Sequence, residues 1–370
     1  MIKQYTESIL MGICQKLQLT PYLYEQATER YNTIARIIKE DPTFRTTKLN
    51  IYPQGSFRLK TTIKPLSDEE YDLDFVAELP SQSEMSPQEL YNHIARILRN
   101  DGIHNNKIEL KSRCVRVKYA NDFHMDIMPG KLVNESTHEI IVPDKKLSSW
   151  YHRSNPIAFA DWFENQARTQ ILFEANQSRY TQANIEKVTE QEIAERLEPL
   201  RRAIQLVKRY RDVYCDKNGT EPVRSIVLCT LMGNITSFTG NTLDIIYSFC
   251  NHVNTLIARS GGKPFEVYNP VVQEKLTEKW EEGNNYNDFV AMMRALTSDV
   301  NKLRTYSINS DANRIIKSMF GETVTNAVIK DYAITLNEAR KSENLSVSSS
   351  GTLNTNSDGV PVKKNTFYCN

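Results

Sequence analysis

The chain has 370 residues, more than one ordinary core serves, and its 40% hydrophobic and 25% charged content is that of a globular protein with two lobes. A formal net charge of +1 gives no global pull toward nucleic acid or a membrane surface, so any basic groove has to be local. No apolar run reaches the roughly 18 residues that span a bilayer, no leader is expected in MIKQYTESILMGICQK, and six scattered cysteines without a CxxC pair fit reduced cytosolic thiols better than disulfides or a zinc site.

Residues 3–18 read as a short helix. Thr20-Pro21 opens a better one, with threonine as N-cap and proline at the first helical position. Leu23, Ala27, Tyr31, Ile34 and Ile38 recur at helical spacing until Asp41-Pro42 stops the run. These leading helices, within residues 1–45, are expected to brace both lobes. Residues 49–52 form a short strand that delivers a Gly55-Ser56 turn, and basic residues Arg58, Lys60 and Lys64 follow. Residues 71–79 form a second strand, and 87–100 an amphipathic helix with Leu90, Ile94, Ile97 and Leu98 apolar. Within 107–128, Val115, Val117 and Tyr119 alternate with Arg116 and Lys118. After a turn at Asn121-Asp122, Phe123, Met125 and Ile127 alternate with His124, Asp126 and Met128, which predicts a hairpin. Pro129-Gly130 is expected to end it, and 140–142 is a further short strand.

From about Trp150 the pattern turns helical. Helices are expected at 155–174, after a capping box at Thr189–Glu192, and again beyond Pro199 through Leu200, Ile204, Val207 and Tyr210. Others are expected at 224–238, 241–259, 286–304 and 322–340. From Lys341 the chain is rich in Ser, Asn and Thr, the composition of a flexible tail over 341–370. The fold class is therefore α+β, with a mixed-sheet lobe over 46–150 and a mostly helical lobe over 151–340.

The chemistry-bearing stretch is NIYPQGSFRLKTTIKPLSDEEYDLDFVAEL, residues 50–79. Side chains alternate across a strand, so Asp72 and Asp74 share one face while Leu73, Phe75 and Ala77 share the other. Two carboxylates so close repel each other unless a divalent cation lies between them, and Mg²⁺ takes hard oxygen ligands of this kind. Gly55-Ser56 offers backbone N–H groups and a hydroxyl to phosphate. Asp126, opposite three apolar neighbours on a later strand, is placed to be a third ligand. Asp-Leu-Asp alone is a weak signal; the order strand, Gly-Ser, basic segment, Asp-Leu-Asp, isolated Asp is a stronger one.

That order resembles the GS…DxD…D signature of the polymerase-β-like nucleotidyltransferase superfamily, on Gly55-Ser56-Phe57-Arg58, Thr61-Thr62-Ile63, Asp72-Leu73-Asp74 and Asp126. The spelling QGSFRLKTTIKP followed by DEEYDLDFVAEL is similar to bacterial cGAS/DncV-like nucleotidyltransferases (CD-NTases). The second lobe agrees through LVKRYRD at 206–212, Glu221-Pro222-Val223-Arg224-Ser225, and the segment from Asn269-Pro270 to Trp280. The resemblance implies a cGAS- and oligoadenylate-synthase-like bilobal architecture. It implies that Asp72, Asp74 and Asp126 hold two Mg²⁺ ions, for which Mn²⁺ can substitute, and that Asp126 accepts the ribose hydroxyl proton. Ser56 with the Gly55 turn would hold the donor's β- and γ-phosphates, and Lys208 and Ser225 would reach the same triphosphate. An ammonium is a suitable point charge for phosphate, although Lys208 among four arginines also reads as part of a solvated helix face. One departure is Ile226, where animal cGAS carries an aromatic that stacks on the base. No zinc cluster of the kind animal cGAS uses to contact DNA is expected.

The implied activity is synthesis of a cyclic di- or trinucleotide second messenger from NTPs, in cytoplasmic anti-phage (CBASS) defence; product, base and linkage stay open at this level. A second reading keeps the superfamily and makes RNA or protein the acceptor. A third is a binding or conjugation module: residues 360–370 resemble tails that enter a ubiquitin-conjugation-like accessory protein. Such tails end Phe-Tyr-Gly, whereas this one ends Cys369-Asn370.

Overall fold

The computed structural model describes residues 2–45, 47–66, 71–119, 123–145, 151–168, 197–235, 241–305, 309–347, 353–355 and 359–362. Helices α1 (Ile2–Leu17) and α2 (Pro21–Glu40) lead the chain. Thr20 caps α2 as its spelling predicts, its hydroxyl accepting the Leu23 N–H at 3.2 Å. Strand β1 (Asn50–Gln54) runs into α3 (Gly55–Arg58), so the expected Gly-Ser turn is the start of a single helical turn. Then come β2 (Tyr71–Leu79) and α4 (Pro87–Asn100), the latter closed by a reciprocal capping box between Ser86 and Glu89. Strands β3 (Ile108–Leu110), β4 (Val115–Tyr119), β5 (Phe123–Asn134), β6 (Glu139–Pro143) and β7 (Tyr151–Ser154) complete the sheet.

The sheet order is β1-β2-β5-β4-β3, with β6 and then β7 added beyond the distal half of β5. The β2–β5 pair is parallel and the rest are antiparallel. β5 continues through Pro129-Gly130, which was expected to end it. The ladder with β4 stops at Ile127 and that with β6 begins at Lys131. Pro129 thus falls in the gap between those two ladders, while it stays in register with Ala77 of β2 on the other side. One sheet face packs Leu73, Phe75, Val117, Met125 and Ile127 against Tyr31, Ile34 and Ile38 of α2 and Leu90, Ile94 and Leu98 of α4. The other face is covered only in part, by a small cluster of Tyr52, Val76, Ile140 and Val142 with Ile157.

The helical lobe contains α5 (Pro156–Arg168), α6 (Pro199–Asn218), α7 (Ser225–Gly233), α8 (Thr242–Arg259), α9 (Asn285–Thr305), α10 (Asn309–Phe320) and α11 (Glu322–Lys341). Pro199 is the first residue of α6 and Gly219, at φ +63°, ends it in the left-handed conformation. α1 packs its Ile9, Leu10 and Ile13 into this lobe, whereas α2 packs on the sheet. The two leading helices therefore belong to different cores. β7 and α10 were not foreseen: β7 is a short, polar strand without apolar alternation, and α10 is only 12 residues long. The capping box at Thr189 and the expected helix end at 174 lie outside the described residues, whereas the helix expected to reach 238 ends earlier, at Gly233 with Asn234 as its C-cap. The segment read as a flexible tail contributes β8 (Ser346–Val347), β9 (Leu353–Asn354) and β10 (Val360–Pro361), a small antiparallel sheet of order β10-β8-β9. Phe367-Tyr368 and Cys369-Asn370 lie outside the described residues. Among those described, no helix is long and apolar enough to cross a membrane.

Candidate active site

The incomplete cover on the second sheet face leaves the start of β2 open to the helical lobe. A cavity of about 1130 Å³ lies there. Gly55, Ser56, Asp72 and Asp74 line one side; Lys208, Arg211, Asp212, Ser225 and Asn269 line the other. Its volume exceeds the roughly 300–1,000 Å³ usual for one drug-sized ligand.

Strand register brings the carboxylates together. In the parallel β2–β5 ladder Asp74 stands beside Asp126, and Asp72 beside His124. Burial pushes the Asp74 carboxyl up to about 7, and the charges of Asp126 and Asp72 add to the rise. Gly55 fits against this group for two reasons. Its φ is +61°, and a Cβ there would collide with the Asp74 carboxylate. Glycine is therefore required for the chain to pass the carboxylate at this distance. Ser56, the next residue, shares a hydrogen bond with the Thr62 hydroxyl at 3.2 Å, and its carbonyl accepts the Thr61 N–H at 2.9 Å.

Asp126 does not line the cavity. It is held by Arg116, which lies opposite it in the β4–β5 ladder. Arg116 Nε donates to Asp126 Oδ1 at 2.7 Å and Nη2 to Oδ2 at 2.8 Å; Nη2 also reaches Asp72 Oδ1 at 3.3 Å. The Cys114 thiol is on the same face. Its pKa is pushed well above the ordinary thiol range by burial first and then by Asp126 and Asp74, so it stays protonated. Among the described residues no three Asp, Glu, His or Cys side chains stand close enough, in this arrangement, to hold an ion. The donor set nevertheless suits a divalent cation. It is three hard carboxylates, one of them with a raised pKa, and a guanidinium already serves there as the positive charge.

The helical wall is built differently. Lys208, Arg201, Gln205 and Arg209 are buried on α6, the reverse of a solvated basic face. Lys208 Nζ donates to the Thr61 carbonyl at 2.9 Å. Arg201 donates to the Leu59 carbonyl, Gln205 Nε2 lies 3.4 Å from that of Thr62, and Arg209 Nη1 lies 3.4 Å from that of Lys64. One helix face thus satisfies the loop that leaves α3, while Leu59 and Ile63 of that loop insert into the helical core. Burial pushes the Lys208 ammonium down to about 8. Ser225, the first residue of α7, accepts from Arg211 Nη1 at 3.0 Å.

Of the residues singled out from sequence, the fold brings Gly55, Ser56, Asp72 and Asp74 to one wall and Lys208 and Ser225 to the other, with Asp126 behind Arg116. Arg116 and Arg211 were missed. Arg116 had a signal: counting back from the turn at Asn121 pairs Tyr119 with Phe123 and so Arg116 with Asp126. Ile226 lines the cavity as the sequence departure implies, and Tyr71 and Phe159 are aromatic groups on its wall.

Comparisons with known proteins agree on one kinship. Residues 6–167 match the profile of the Second Messenger Oligonucleotide or Dinucleotide Synthetase domain. The chain is 31% identical over 380 residues to a c-di-GMP synthase of Roseivirga ehrenbergii, spanning 99% of this chain and 98% of that one. It is 25% identical to the cyclic dinucleotide synthase CdnG of Bradyrhizobium diazoefficiens over 88% of this chain and 83% of the relative. The solved structure of that CD-NTase in complex with GTP superposes with a TM-score of 0.71 at 22% identity, over 89% of this chain and 99% of that one, which shows a shared fold.

Proposed function

We propose that this chain, which belongs to the bacterial cGAS/DncV-like nucleotidyltransferases (CD-NTases) and is a nucleotidyltransferase that synthesises a cyclic oligonucleotide, joins two GTP molecules into cyclic di-GMP. The choice of guanine rests on its full-length similarity to a c-di-GMP synthase. The observation that carries the chemistry is the convergence of Asp72, Asp74 and Asp126 beside the Gly55-Ser56 segment, at the edge of a cavity large enough for a donor and an acceptor nucleotide.

Asp72, Asp74 and Asp126 would hold two Mg²⁺ ions, with Mn²⁺ as a substitute. When bound, such ions lower the pKa of the attacking hydroxyl and stabilise the leaving pyrophosphate. The chain's own groups do the rest. Gly55 and Ser56 seat the donor triphosphate, and Lys208 and Ser225 face it from the helical wall. A ribose hydroxyl oxygen attacks the α-phosphorus, forming one P–O bond as the bond to the β-phosphate oxygen breaks. Asp126 takes the hydroxyl proton and pyrophosphate leaves. A second transfer between the two nucleotides closes the ring. Tyr71 and Phe159 are the aromatic wall available for base contact. We place a role in anti-phage defence, and contact with an accessory protein through residues 360–370, at the level of the same proposal.

The test incubates purified protein with labelled GTP alone, with each other NTP, and with all four, in Mg²⁺. A phosphatase-resistant product with the mass of cyclic di-GMP from GTP alone is expected, and Asp72→Ala with Asp74→Ala removes it. A cyclic product that requires another NTP overturns the guanine assignment; only linear polymer, or label on RNA or protein, overturns ring closure.

A further inference from the structure

Arg116 is part of the carboxylate face, yet it matches no element of the signature that identifies the site. It comes from β4, directly across from Asp126, and only 19% of its side chain is exposed. Its planar fork covers both oxygens of Asp126, at 2.7 and 2.8 Å, and the outer nitrogen also reaches Asp72 at 3.3 Å. A guanidinium matches a carboxylate bidentately, which an ammonium cannot do. The same group does not bond Asp74, the residue in register with Asp126.

We propose that Arg116 is an internal counter-ion of Asp126 and Asp72 that competes with a divalent cation for them. The inference rests on the reading that Asp72, Asp74 and Asp126 are the cation's ligands. Each Asp126 oxygen accepts one hydrogen bond from Arg116 and keeps a second lone pair, so what opposes a cation here is chiefly charge. A guanidinium and a divalent cation a few ångströms apart also repel strongly away from bulk water. Each therefore weakens the other's hold on these carboxylates, and cation binding is an exchange against Arg116. The arrangement has two effects. Arg116 holds Asp126 and Asp72 aligned and offsets part of their charge. It also weakens binding of a free cation, so that the cation is held well only when a triphosphate supplies further oxygens.

The exchange is read without turnover, by titrating Mn²⁺ into the full chain at pH 8 in the absence of nucleotide and following the free-ion resonance. Arg116→Gln removes the competing charge and is expected to bind Mn²⁺ about tenfold more tightly than the wild type. Arg116→Lys keeps a charge but cannot cover Asp126 and Asp72 together. It is expected to fall between the two, at about threefold tighter, and it carries the test should Arg116→Gln not fold. Binding that is unchanged or weaker in these variants, or no binding by any of the proteins in the millimolar range, overturns the proposal. Asp72→Asn with Asp74→Asn, added to Arg116→Gln, separates the two readings. If Mn²⁺ still binds, the carboxylate assignment has failed. If binding is lost there yet Arg116→Gln alone had no effect, only the counter-ion role has failed.

Discussion

The two walls of the cleft handle charge by opposite rules. The sheet wall gathers three carboxylates on one face and offsets them with a single guanidinium; burial first, then the charges of Asp126 and Asp72, push the Asp74 carboxyl up to about 7. The helical wall gathers Arg201, Gln205, Lys208 and Arg209 on one face of α6 and turns them onto carbonyls of residues 59–64, with Arg201 also neutralised within the chain by Glu164 and Glu198. Charge that is left unbalanced is available to a ligand, whereas polar heads that meet carbonyls within the chain hold a loop in place. The sheet wall is thus arranged for chemistry at some cost in stability, and the helical wall for positioning.

Variants on the two walls should therefore fail in different ways. The largest effect is expected from Asp74→Asn, with activity reduced by ~10³-fold or more, in the range lost when an electrostatic contact at the reacting centre is removed. The same variant should be more stable than the wild type. A folded-state pKa raised from about 4 to about 7 means the native protein holds this proton more tightly than the unfolded chain. Stability from this group is present below about pH 4, declines as pH rises to about 7, and is flat above. The Tm advantage of Asp74→Asn should accordingly be small at pH 5 and reach a few degrees at pH 8. An advantage independent of pH would break the contrast between the walls.

Gly55→Ala comes next. The new Cβ meets the Asp74 carboxylate at a φ that disfavours side chains, so Asp74 or the turn has to shift. A loss of ~10²-fold in kcat is expected, with a stability cost of about 1–3 kcal/mol by denaturant titration. Lys208→Met tests the helical wall. It leaves the buried Thr61 carbonyl without its donor, at a cost of about 1–3 kcal/mol. A fall in Tm with unchanged KM for GTP would make Lys208 purely a clasp; a rise in KM as well supports contact with the triphosphate. Ser225→Ala is expected to do least, about 1 kcal/mol in stability through the lost Arg211 bond, with a small rise in KM.

Much of this was legible in the chain itself, because the signals were local. Thr20-Pro21 spelled the start of α2 and alternation spelled β2 and the β4–β5 hairpin, since caps and period-two patterns act within a few residues. Pro129-Gly130 misled for the same reason. Whether a proline is tolerated in a strand depends on which neighbour faces it, and the neighbours of β5 change from β4 to β6 at that point. The alternative reading of Lys208 as part of a solvated face fails for the same reason: charged side chains read as solvated until the fold supplies carbonyls for them.

The amino-acid order by itself determined that two carboxylates share a strand face, that a glycine precedes a serine at the end of β1, and that a third carboxylate lies on a later strand. These follow from strand geometry and need no partner. Tertiary structure decided that Asp74 stands beside Asp126, that Gly55 passes against Asp74 where no Cβ fits, that Arg116 covers Asp126, and that Lys208 is buried on the Thr61 carbonyl. Each of these depends on register or close approach between segments far apart in the chain, and such contacts are set by the packing of whole elements.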